Sequence, residues 1–427
     1  MGKKGQRMSD CSRVIGSLSL RTTIFFIMLS ITCFQIEAEG RMKLSPSLDL
    51  STEYNDNIYW MREKESDIIN RISPAISLSI PGYHKELTLG YGAGFEFFVK
   101  NTTENTVTHR VNGEASYRAT ERLNLKLADT YIRSKTLSEI ELYGLRRRRE
   151  SYWQNSLTPS LDYTFGPDRV LSLGYRYIKS QFETYAYENS TEHSGTIGLR
   201  YGLNPHNMLT LNYMFTHGQF SYYWGKLNRH LFELGYEYII SPRTSIIAGT
   251  SYIRSSYTEI GAIDYQIYGV FLGLTRVITP YLNLSARGGY FIQDPEMGNG
   301  SSGFLGDFAI NYSRGKTRLS LSGEKGYTEV FFTTENLGFS TYWRILANAN
   351  RDIFRHWRIG VLGSYTKNHY VYAHREDRFW TTGANISYSP VKWFRGMLSY
   401  EHTRLDTTWL YEGYSVNRVI LSLYFVY

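Results

Sequence analysis

The chain has 427 residues, 42% hydrophobic and 20% charged, with a net charge of +8 and 16% aromatic residues, 37 of them tyrosine. That much apolar material excludes a disordered chain. The charges of both signs are interspersed, which excludes the concentrated basic stripe of a nucleic-acid binder.

The first forty residues read as an export signal. Lys3, Lys4, Arg7, Arg13 and Arg21 precede the apolar run 23–36, TIFFIMLSITCFQI, and Glu37-Ala38-Glu39-Gly40 offers small residues for cleavage after Ala38 or Gly40. The apolar run is short for a spanning helix, which needs about 20 residues. The basic region is long enough that Met8 is an alternative start. Thr32 before Cys33 does not suit a lipoprotein site. Cleavage removes Cys11 and Cys33, the only cysteines, and lowers the net charge to about +6. Residues 41–427 therefore hold no disulfide, thiolate metal site or haem-attachment motif.

From residue 41 onward the pattern is two-residue alternation. Leu44, Pro46, Leu48, Leu50, Thr52 and Tyr54 share one face, and Ser45, Ser47, Asp49, Ser51 and Glu53 the other. Ile72, Pro74, Ile76, Leu78 and Ile80 face away from Ser73, Ala75, Ser77 and Ser79. Such segments are strands with one wet and one apolar face. Nine short turn signals separate them: PGYHK (81–85), TERL (120–123), GPDR (166–169), NPHN (204–207), SPRT (241–244), TPY (279–281), RGK (314–316), RDIFRHW (351–357) and SPVKW (389–393). Longer connections fall between, as at 57–67, 136–149, 294–302 and 407–414. Nine short turns imply ten hairpins, hence about twenty strands within a range of 16 to 22.

Strands of about thirteen residues exceed the usual five or six of a soluble sandwich and suffice to cross a bilayer at a tilt. Short turns at one end and long loops at the other fit an outer-membrane barrel. Closure also removes the unpaired edges that lipid does not tolerate. The expected fold is all-β: a transmembrane, antiparallel, up-and-down β-barrel over residues 41–427, with both termini periplasmic. Tyr175 and Tyr177, Tyr213 and Phe215, and Tyr236 and Tyr238 are expected toward strand ends on the lipid face.

Residues 45–80, SPSLDLSTEYNDNIYWMREKESDIINRISPAISLSI, resemble the opening hairpin of a family of β-barrel porins of Gram-negative outer membranes, at Tyr54, Asn55, Asp56, Asn57, Asp67 and Pro74. The resemblance implies an outer-membrane barrel, in some members associated with exopolysaccharide systems. The ending Val419, Leu421, Leu423, Phe425 and Tyr427 is similar to the terminal strand read by the outer-membrane assembly machinery. Such a strand offers an apolar face and a free backbone edge.

Alternation assigns the lumen candidates Asp49, Glu53, Glu96, Glu114, Lys126, Asp162, Arg176, Arg200, Glu233, Glu237, Arg287, Arg318, Glu324 and Glu401, with Arg418 also inward. Charges this dense need water or partners, and a twenty-strand barrel is wide enough to hold water. The leading expectation is passive or weakly selective passage of small hydrophilic solutes or polysaccharide. The alternative is a scaffold barrel around a secretion or electron-transfer partner. Arg146, Arg147, Arg148 and Arg149 would meet lipopolysaccharide phosphates if outside, or narrow the lumen if folded inward. No plug is expected before the first strand. Glu192-His193-Ser194-Gly195 offers a thin enzyme signal, because neighbouring strand residues point to opposite faces. Ten scattered histidines show no metal spacing, no nucleotide loop occurs, and no cofactor is expected.

Overall fold

The computed structural model describes residues 42–135, 149–183, 189–221, 225–258, 263–330, 338–409 and 412–427. The proposed export signal and Arg146, Arg147 and Arg148 lie outside them.

Twenty strands follow one another. They are β1 (Lys43–Asn55), β2 (Asp67–Ile80), β3 (Lys85–Phe98), β4 (Thr106–Arg118) and β5 (Leu123–Ser134). Next come β6 (Tyr152–Gly166), β7 (Arg169–Phe182), β8 (Ser190–Asn204), β9 (Asn207–Phe220) and β10 (Lys226–Ser241). Then β11 (Thr244–Tyr257), β12 (Tyr265–Thr279), β13 (Leu282–Pro295), β14 (Ser301–Arg314) and β15 (Thr317–Val330). The last are β16 (Gly338–Asp352), β17 (Trp357–Tyr370), β18 (Arg375–Val391), β19 (Phe394–Thr407) and β20 (Tyr414–Val426). Each pairs antiparallel with its chain neighbours, and β1 pairs with β20 to close the barrel. The nine short turns and the long loops alternate ends, as the sequence predicts. No described helix is long and apolar enough to cross a membrane.

Proline marks ladder defects. The β2–β3 register skips from Ile72↔Phe95 to Ala75↔Gly92 around Pro74, and β6–β7 skips from Leu157↔Tyr177 to Ser160↔Gly174 around Pro159. Each lacks the N–H that a ladder rung requires.

The motif at 54–57 fastens the closure. Asn417 N and Nδ2 donate to Asp56 at 2.6 and 2.7 Å, while Asn57 Nδ2 donates to the Ser415 carbonyl at 3.1 Å. Asp67 accepts from the backbone N–H groups of Val99, Lys100 and Asn101, anchoring the next loop.

The wall is not a plain cylinder at the long-loop end. Three buried apolar clusters sit there: Ile253, Tyr265, Ile267, Phe291 and Phe339; Ile58, Ile69 and Phe98; and Leu405, Tyr414 and Val416. Tyr265 on β12 and Phe339 on β16 meet edge-to-face at 5.9 Å, although four strands apart. Only the concave side of a closed wall allows that contact.

Candidate functional site: the barrel interior

That cross-barrel contact marks the Tyr265 face of β12 as inner, and the ladder registers carry this parity around the wall. Phe339 itself is of the opposite parity and reaches Tyr265 because its end of β16 folds inward. Asp49, Glu53, Glu96, Glu114, Lys126, Asp162, Arg176, Arg200, Glu233, Glu237, Arg287, Arg318, Glu324, Glu401 and Arg418 all fall on this inner parity. The opposite parity holds apolar residues such as Val270 and Leu272, 58% and 62% exposed. It also holds Val419, Leu421, Leu423 and Phe425.

The inner charges form two populations. In the middle and short-turn part of the barrel they pair across strands yet stay wet. Lys126 meets Asp162 at 3.1 Å and Arg287 meets Asp307 at 2.6 Å, all four side chains about a third or more exposed. Asp352 is shared by Arg318 (3.8 Å) and Arg358 (2.6 Å). Nearer the long loops Arg418 pairs with Glu401, and the buried Tyr342 hydroxyl donates to Glu324. Glu114, Glu233 and Glu237 have no ion pair among the described residues.

Toward the long loops the charges are buried in a network. Arg71 bridges Glu53 (2.6 Å) and Glu96 (2.9 Å), and Arg149 reaches Glu96 at 3.1 Å while lying over the Phe98 ring at 4.6 Å. Arg149 also approaches Glu104 at 3.7 Å, which pairs with Lys135 at 2.7 Å. Glu53, Arg71, Glu96 and Arg149, with Trp60 and Arg418, line a recess of about 310 Å³. Arg149, taken with its neighbours as a loop cluster, thus turns into the wall. Arg176, itself 46% exposed, bonds the buried Glu192 at 2.5 Å. Arg375 and Asp377 form a fully buried pair at 2.7 Å, with Arg375 over the Trp409 ring at 4.8 Å.

Arg71, Glu192, Arg375 and Asp377 were missed by the sequence reading. The signal for Arg71 was present, since it lies two residues from inward Ser73. The adjacent Ile68-Ile69 blurred the alternation because Ile69 is inward and buried with Ile58 and Phe98.

The aromatic expectation needs correction. Tyr236 and Tyr238 lie toward the short-turn end of β10, but Tyr175 and Tyr177 lie mid-way along β7, and Tyr213 and Phe215 mid-way along β9. The strands are longer than the apolar band, which needs only about 9–11 residues. Beyond these aromatics the outer face turns polar, with Lys179 and Gln181 on β7 and His217 and Gln219 on β9. The Tyr175 hydroxyl meets His193 Nδ1 at 2.6 Å, and Tyr213 meets His230 at 2.9 Å. They mark the edge of the band, not the end of the strand.

His193 and Ser194 point to opposite faces. Ser194 is buried inward, donating to Glu192 at 2.7 Å. Among the described residues no group of three or more His, Cys, Asp or Glu is placed to hold a metal.

No protein-family model matches the sequence, and a search of the curated proteins finds no match. Solved structures do match. The FrpB iron transporter from Neisseria meningitidis is similar with a TM-score of 0.59 at 8% identity, over 90% of this chain and 82% of that one. The siderophore receptor PirA from Acinetobacter baumannii gives 0.54 at 9% identity, over 90% and 80%. PirA from Pseudomonas aeruginosa gives 0.52 at 10%, over the same shares. At these identities the likeness shows the fold.

Proposed function

The chain has the fold of outer-membrane β-barrels, and from that premise we propose that it is an outer-membrane channel for passive or weakly selective passage of hydrophilic solutes. The observation that carries this reading is the wet charge on the inner face. Lys126–Asp162 and Arg287–Asp307 are paired but about a third or more exposed, which requires water on the concave side. Mixed signs along the inner face favour weak selectivity. In this reading residues 1–40 direct export, the short turns and both termini are periplasmic, and lipopolysaccharide surrounds the loop-side rim. The convex face of β20 is the surface that the assembly machinery recognises. Anionic or neutral polysaccharide is a cargo of matching chemistry.

The test is conductance of the purified barrel in a planar bilayer. Stepwise openings with a reversal potential near zero in a salt gradient are expected. A barrel that never conducts at any voltage would favour the alternative, a scaffold whose lumen holds a partner.

A further inference from the structure

The ladder between β14 and β15 stops early. It runs for nine pairs, from Arg314↔Thr317 to Gly306↔Lys325, although β14 continues to Ser301 and β15 to Val330. On its other side β14 stays paired with β13 as far as Ser301. The β14 edge at 301–305 therefore faces a neighbour that has left it.

Where β15 goes is visible from its partners. β15 and β16 remain paired to each other above the break, through Tyr327↔Thr341 and Thr328↔Ser340. Below the break their outer parity faces outward, with Trp343 and Ile345 exposed. Above it the same parity is buried against the inner face of β12 and β13. Tyr327 stacks on Phe291 at 4.9 Å, and Phe339 on Phe291 at 6.2 Å and Tyr265 at 5.9 Å. β17 follows: Val371 N donates to the Phe339 carbonyl at 3.2 Å, and Gln293 Nε2 donates to the Tyr372 hydroxyl at 2.6 Å across the lumen. The upper ends of β15–β17 thus lie inside the barrel as a second layer. Gly306, Gly323 and Gly326 flank the divergence.

We infer that these strand ends are a gate on the proposed channel, held in its tucked state here and able to swing outward and zip onto β14. The second state is specified by the first. Continuing the register places Leu305 opposite Gly326 and Phe304 opposite Tyr327, which would satisfy the β14 edge with backbone bonds and empty part of the loop-side lumen. Two packings of similar content, one aromatic and one a ladder, are what a bistable element requires. This inference rests on the channel reading for its consequence but not for its geometry.

Residues 42–427 contain no cysteine, so paired cysteines report cleanly. Phe304→Cys with Tyr327→Cys would sit opposite each other only in the zipped state, within disulfide reach. Phe291→Cys with Tyr327→Cys, joined by a short bismaleimide, holds the tucked state. Cross-linking of folded barrel in vesicles is expected for both pairs, and the zipped lock should conduct several-fold more than the tucked lock. Failure of the 304/327 pair to cross-link in folded protein overturns the gate, as does an equal, non-zero conductance of the two locks. If both pairs cross-link but neither lock conducts, the two-state geometry stands and the channel reading falls.

Discussion

At the scale of single residues, burial decides which charges matter for stability. Arg71 holds two carboxylates whose side chains are 3% and 6% exposed. Removing one partner of such a network leaves buried charge without compensation, at a cost of about 3–5 kcal/mol. Arg71→Ala should therefore lower the unfolding midpoint of the barrel markedly, read by loss of the folded band in unheated gel electrophoresis. Lys126→Ala, breaking a pair whose Lys is 53% exposed, should cost under about 1 kcal/mol. Equal effects of the two would overturn this ranking. Asp56 gives the pH dependence. Burial pushes its carboxyl up, but hydrogen bonds from Lys64 and from the backbone and side chain of Asn417 outweigh this and hold it below the ordinary carboxylate range. A depressed folded value means the stabilisation is complete above the unfolded pKa, about 3.9, and disappears as pH falls through the folded value. The β1–β20 closure should thus weaken below about pH 4, and Asp56→Asn should flatten that dependence. Unfolding midpoints at pH 7 and pH 3 for both proteins check it.

At the scale of elements, the β14–β15 ladder shows how closely a strand pair can be fitted. Gly323 lies under the Phe308 ring, where an added Cβ would come within 2.2 Å of a ring carbon. Gly323→Val must displace that ring or part the strands, and overpacking of this kind costs about 1–3 kcal/mol. Phe308→Ala in the same chain should relieve most of the penalty. Additive losses in the double variant would mean that the ring is not what Gly323 accommodates. Strand phase and count were legible in sequence because the alternation recurs in ten hairpins and the turn residues between them nine times, so one ambiguous segment is corrected by its neighbours. The tucked ends of β15–β17 were not legible. Their residues keep the alternation of wall strands, and the burial of Tyr327 and Phe339 on Phe291 arises from strands distant in sequence. The dry loop-side interior escaped for the same reason. Arg375, Asp377 and Ile69 sit on a face that alternation labels simply as inward, and only the loops folded over them make it dry.

At the scale of the whole molecule, the two ends differ in charge. The nine short turns carry Arg122, Arg243, Lys316, Arg355 and Lys392 against Glu121 and Asp168. The described parts of the long loops carry nine acidic residues against five basic ones. A lumen with one basic and one acidic mouth has an axial field that concentrates anions at one entrance and cations at the other. The channel proposed above should therefore rectify at low salt. Anion current should be larger when the voltage drives anions in from the short-turn end. Screening sets the range of this effect, since the Debye length is about 10 Å at 0.1 M salt and about 3 Å at 1 M. Current–voltage curves from barrels inserted in one orientation should be asymmetric at 0.1 M and nearly symmetric at 1 M. Replacing Arg243, Lys316 and Lys392 with Gln should reduce the asymmetry while leaving the 1 M conductance unchanged. An asymmetry that survives 1 M salt would assign rectification to the shape of the tucked loop-side mouth instead of to its charge.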